Sequence, residues 1–283
     1  MNMRILCCIC PGIIILPGTA SAWWVKGHEA IATAAASRVP DEVPSFFRAG
    51  AKALGYLSGD PDRWKNRDAK FLRAFEGPDH YIDLENWQGK DLPPDRYKAL
   101  ALVGQLGEKP DTAGMLPYAI MEHFDRLTCA FYDYRQDSQN EAVKIKCIVY
   151  AGVLSHYTGD TAMPLHTTRE FDGKKGLDGR LMQKGIHAKI DAFPEKQGFT
   201  WEEIGRELEA REITDVWSHV VKTIKESHEH VGLCYELDAA GAIENPTDKS
   251  REFIMKRCRV GAQFTMDLYY TAWKRSATFK PPY

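Results

Sequence analysis

His156-Tyr157-Thr158-Gly159-Asp160-Thr161-Ala162-Met163-Pro164-Leu165-His166 closes a stretch that begins at Glu141 and keeps apolar residues at helical spacing through Tyr157. Residues four apart on a helix project from the same face, so His156 and Asp160 stand one above the other. They continue the stripe Ile145, Val149, Gly152, which is expected to be buried. An imidazole and a carboxylate on a buried face need partners, because desolvation without them is costly. A divalent metal ion is one such partner. Pro164 then turns the chain and brings His166 into reach.

A second helix-spaced pair, His187-Ala188-Lys189-Ile190-Asp191, offers the same two ligand types on one face. Zinc takes imidazole and carboxylate, and its catalytic sites pair three protein ligands with an open position. His166, His187 and Asp191 make one such set. Upstream lie Asp60-Pro61-Asp62-Arg63 and His80-Tyr81-Ile82-Asp83. Each is weak alone, since a lone Asp or His in a loop is usually a turn or surface residue. Trp23-Trp24-Val25-Lys26-Gly27-His28 completes the series. A free α-amine at Trp23 titrates near neutrality and can bind a metal, with His28 joining from the first helix. The simpler alternative is a Trp pair packed on the core.

Helical patterns run through the rest of the chain. The spacing predicts helices over 27–39, 117–134, 141–157, 201–208 and 214–231, and a long C-terminal helix through Ile254, Cys258, Gly261, Phe264 and Leu268. No sustained period-two alternation is present, so few or no strands are expected. The fold class is therefore all-α, a single compact multi-helix domain. Two long loops, 60–79 and 167–185, stand out as functional candidates.

Residues 1–22 have the layout of a secretory signal peptide: Arg4, an apolar run from Ile5 to Leu16, then Ala20-Ser21-Ala22. Cleavage there would expose Trp23 and leave 23–283 as the mature domain, secreted or periplasmic. No other stretch would make a stable membrane anchor. The net charge of −2 argues against tight binding along duplex DNA by phosphate neutralisation alone. Cys129, Cys147, Cys234 and Cys258 allow up to two disulfides in an exported chain, with buried free thiols as the alternative. His123, His219, His228 and His230 fit no ligand set.

In combination these motifs resemble those of the zinc-dependent single-strand-specific nucleases of the S-one/P-one type, which share a fold with the bacterial zinc-dependent phospholipases C. The resemblance runs from Trp23 to about Asp191. It implies three Zn2+ per chain. Asp60, His80, His156 and Asp160 would hold the first; His166, His187 and Asp191 the second; the Trp23 amine and carbonyl with His28 the third. Asp160 would bridge the first and third. Asp60 would also orient the attacking water, and Arg63 would steady the phosphate. Tyr81 and Asp83 match the positions that stack on and hydrogen-bond a base.

The activity implied is that of a monomeric endonuclease that cuts single-stranded DNA or RNA to 5′-phosphomononucleotides with a metal-activated hydroxide. Stacking on Tyr81 would favour single strands. The sequence departs from the nuclease pattern at Ser58-Gly59, Met163 and Ile190, which alters the walls of the site and removes no ligand. Phospholipid head groups are the alternative substrate, as for a phospholipase C. A non-catalytic protein stabilised by zinc is the alternative of another class.

Overall fold

The computed structural model describes residues 23–280. The expected signal peptide, 1–22, lies outside them. The chain folds as an all-α domain whose strands, among the described residues, are limited to one hairpin of two-residue strands, Lys174–Lys175 paired antiparallel with Leu181–Met182. Among the described residues no helix is long and apolar enough to cross a membrane.

Nine helices position the site: α1 (Val25–Ser37), α2 (Ala51–Leu57), α3 (Asp60–Trp64), α4 (Lys70–Glu76), α5 (Leu116–Gln136), α6 (Glu141–Thr161), α7 (Ile186–Asp191), α8 (Val216–His228) and α9 (Asp248–Ser276). Helix α6 is the centre of the fold and packs on α1, α2, α5 and α9. It begins where the Asn140 side chain accepts from the Ala142 N–H, which satisfies a donor the helix start leaves open. Helix α9 starts on a reciprocal box, Ser250 N–H to Thr247 Oγ1 and Thr247 N–H to Ser250 Oγ.

Two glycines let these helices approach. A Cβ added at Gly152 of α6 would stand 2.6 Å from Leu57 Cβ, and one at Gly55 of α2 would stand 2.2 Å from Thr33 Oγ1 of α1. Neither crossing survives a side chain without moving a helix.

The burial of α6 differs from the expected stripe. Ile145 is 62% exposed, and Val149 is only half-buried. The N-terminal half of α6 reaches the surface, while every residue from Ala151 to Thr161 is buried. His156 and Asp160 are therefore surrounded by protein on all sides. The predicted helix over 201–208 stops at Ile204. That over 214–231 is α8, which ends at His228, and a further helix, Val231–Ala239, follows it. Among the described residues Cys129, Cys147, Cys234 and Cys258 are free thiols, which corrects the expectation of disulfides between them. Cys147, Cys234 and Cys258 are buried as small apolar side chains.

Candidate metal centre

Six elements deliver imidazoles and carboxylates to one region. Helix α1 brings His28, and α3 brings Asp62. The 3-10 turn Gly77–His80 brings His80. Helix α6 brings His156 and Asp160, the turn Pro164–Thr167 brings His166, and α7 brings His187 and Asp191. They form three sets, the first two sharing His156, and within each set the donor atoms lie within 4.8 Å of one another: His28, Asp62, His156; His80, His156, Asp160; and His166, His187, Asp191.

Three of the rings are aimed by the backbone. His80 Nδ1 is 2.8 Å from the Glu76 carbonyl, His156 Nδ1 2.8 Å from that of Ser58, and His166 Nδ1 2.8 Å from that of His80. A carbonyl only accepts, so each Nδ1 carries the proton and each Nε2 presents its lone pair. This is how ligating histidines are oriented in metal sites. The two oxygens of Asp160 face different rings, Oδ1 at 3.3 Å from His28 Nε2 and Oδ2 at 3.4 Å from His156 Nε2. His28 and His156 stack at 4.0 Å between centroids. On the other side, His166 Nε2 and His187 Nε2 face each other at 2.9 Å, and His187 Nε2 is 3.2 Å from Asp191 Oδ2.

Both oxygens of Asp160 and of Asp191, Nε2 of His80 and of His156, and both ring nitrogens of His28 are buried without a protein hydrogen-bond partner. Such groups are normally satisfied. Burial pushes the Asp160 carboxyl up to about 6 and that of Asp191 well above the ordinary range. Burial likewise depresses His80, His156 and His166, and lowers His187 to about 4. Protein alone thus opposes charge on the acids and on the bases together. Cations coordinated by carboxylate oxygens and neutral imidazoles would relieve both at once. The donor set, nitrogen and oxygen without sulfur, fits zinc.

The structure places Asp60 and Arg63 apart from the other expected site residues. Asp60 is outside the three sets and pairs with Arg63 at 2.6 Å, and Arg63 lies over the Tyr56 ring. The acid that faces inward is Asp62, with Oδ1 3.7 Å from His80 Nε2 and 4.0 Å from His156 Nε2. The one-turn helix α3 explains the exchange: residues two apart are turned roughly 200° from each other, so only one of the two acids points in. Burial opposes ionisation of Asp62, but Lys65, His80 and His28 outweigh it and hold the carboxyl below its ordinary range. Lys65 Nζ is 2.7 Å from Asp62 Oδ1 and lines the cleft beside the histidines. Asp62-x-x-Lys65 repeats the acid-x-x-base spacing of Asp60-x-x-Arg63 two residues later, which is the signal that could have found it.

The centre opens into a cleft of about 330 Å³ lined by Lys65, His80, Tyr81, Asp83, His166, Phe171 and His187 among others. The Tyr81 hydroxyl donates to the Asp111 carbonyl at 2.6 Å, which fixes its ring. Burial, with Glu85 nearby, pushes Asp83 up to about 7. Phe171 meets the His187 ring edge-on at 5.6 Å and went unremarked in the sequence. Trp23 is fully buried, with Nε1 donating to the Gly159 carbonyl at 3.1 Å, and the Trp24 N–H donates to the Asp191 carbonyl at 3.2 Å. Trp23 and Trp24 are thereby fastened to α6 and α7 at the same centre.

No protein-family model matches the chain, and no curated protein does. Among solved structures the chain is similar to the alpha-toxin of Clostridium perfringens isolated from avian strain SWCP, at 15% identity and a TM-score of 0.45, covering 94% of this chain and 67% of that one.

Proposed function

We propose that this chain is a zinc-dependent phosphodiesterase that cuts single-stranded nucleic acid to 5′-phosphomononucleotides. The observation that supports it is the sharing of one cleft by His80, His166 and His187 with Lys65, Tyr81 and Asp83. Ligand groups, a cation, an aromatic face and a polar group of tunable charge thus meet around one volume.

His28, Asp62, His80, His156 and Asp160 would hold metal on the α1 and α6 side, and His166, His187 and Asp191 on the α7 side. The Trp23 amine and carbonyl would join His28 once residues 1–22 are removed. Bound zinc ions supply Lewis-acid polarisation of phosphoryl oxygens and lower the pKa of water at the site. Asp62, held ionised, would accept a hydrogen bond from an attacking water and orient it. The Lys65 ammonium meets the charge that builds on the phosphoryl oxygens, a role for fixed donors in a dry site. The Tyr81 ring offers a face to an unstacked base. Asp83, part-protonated near neutrality, can donate to or accept from the edge of that base.

A second reading, hydrolysis of phospholipid head groups, is favoured by Phe171 in the cleft and by the leucines exposed beyond it. The test is to incubate purified protein with single-stranded DNA and, separately, with phosphatidylcholine, before and after chelation. Nucleotide release that is lost with zinc and restored by it is expected. Lipid turnover without nucleotide release would overturn the nuclease reading in favour of the second.

A further inference from the structure

The cleft wall is interrupted by two excursions of the chain, each leaving the wall and returning to it. One departs at Lys65 and re-enters at Gly77; the other departs at Phe171 and re-enters at His187. Both carry large apolar side chains into solvent. On the first, Phe71 of α4 is 95% exposed and Phe75 56%. On the second, Leu177 at the hairpin tip is fully exposed, and Leu181 and Met182 are about half exposed. Scattered exposed apolar residues are ordinary, but a concentration of them at the rim of a cleft marks an interaction surface.

The same excursions are cationic in a chain of net charge −2. Residues 66–76 carry Arg67, Lys70 and Arg73 against Asp68 and the buried Glu76. Residues 172–186 carry Lys174, Lys175, Arg180 and Lys184 against Asp172 and Asp178. Apolar tips flanked by lysine and arginine are the pattern that inserts between lipid head groups while the charges meet an anionic surface. A nucleic acid would use the phenylalanines and the cations but has no use for Leu177, Leu181 and Met182.

We infer that the two excursions seat the rim of this cleft on an anionic lipid surface. The docking rests on the rim residues alone and does not depend on which phosphodiester the centre cleaves. It sets the cleft mouth, which lies between the points of departure, at the level of the head groups.

The experiment is cosedimentation of the zinc-loaded protein with vesicles of phosphatidylcholine mixed with phosphatidylglycerol, and with vesicles of phosphatidylcholine alone. It is repeated for Phe71→Ser/Leu177→Ser and for Lys175→Glu/Lys184→Glu, with hydrolysis of the soluble diester bis(p-nitrophenyl) phosphate followed in parallel. The protein should bind the mixed vesicles, and each double variant should lose about tenfold or more in affinity with soluble-diester turnover unchanged. Mixed-vesicle binding equal in all three proteins overturns the docking surface. So does an absence of vesicle binding by the unaltered protein. Loss of oligothymidylate affinity in the variants, without any vesicle binding, would assign the rim to nucleic acid instead. Absence of soluble-diester turnover in the unaltered protein would count against the phosphodiesterase reading while leaving the vesicle result to stand or fall separately.

Discussion

Lys65 Nζ lies 2.7 Å from Asp62 Oδ1, so the ammonium that lines the cleft beside the histidines is held by an acid that itself faces the ligand rings. Arg63, two residues earlier, turns away to Asp60 and Tyr56. Lys65→Met should therefore lower kcat for a phosphodiester by about a hundredfold or more, the scale seen when a fixed donor to a developing oxyanion is removed. Arg63→Met should leave kcat within a factor of about three, its side chain being part-exposed and outside the cleft. Steady-state kinetics on both variants check the contrast; equal losses would contradict it.

The same exchange of neighbours governs metal content. Asp62→Asn should reduce bound zinc, measured by inductively coupled plasma mass spectrometry, while Asp60→Asn should bind as much as the unaltered chain. Asp160→Asn should reduce it further than either, because its two oxygens face two different histidines. Undiminished zinc in Asp160→Asn would remove the carboxylate from the centre.

The long helices and both His-x3-Asp pairs were legible in the sequence, because a spacing of four fixes the face whatever surrounds the helix. The choice between Asp60 and Asp62 was not. Both satisfy the same spacing to a base, and only the packing of α3 beside His80 and His156 decides which one turns inward. Ile145 misled for a related reason: periodicity gives the direction of a side chain but not how far along the helix the protein continues. Residues 60–79 read as a loop although they contain α3 and α4. Phe71, Leu72 and Phe75 of α4 face solvent, so the rule that apolar residues mark the inner face had nothing to act on.

Asp83 carries the pH dependence. Its carboxyl is pushed up to about 7 by burial and by Glu85. It is largely neutral below that value and gains a negative charge as pH rises through it. The cleft should therefore repel an anionic diester more strongly above pH 7, and KM should rise there. In Asp83→Asn this limb should flatten while the zinc content stays unchanged. A KM profile identical in the two proteins would show that Asp83 does not face the substrate.

The free thiols make a prediction of their own. In the native protein Ellman's reagent should titrate the exposed Cys129 first, slowed by burial and by Asp125 and Asp133, which raise its pKa, whereas Cys147, Cys234 and Cys258 should react only on unfolding. Burial raises each of the last three to about 12, so little thiolate is present to react. A reductant should leave the melting temperature unchanged, and a marked drop would reveal a disulfide.

The hydrogen bond from the Trp24 N–H to the Asp191 carbonyl bears on how the protein is made. With Trp23 wholly enclosed beside Gly159, the position that would become the first residue on the proposed removal of 1–22 is itself part of the packing around α6 and α7. Removal at that point would leave a first residue that belongs to the core rather than the surface, and a change at Trp23 would reach both ligand helices without touching a ligand side chain.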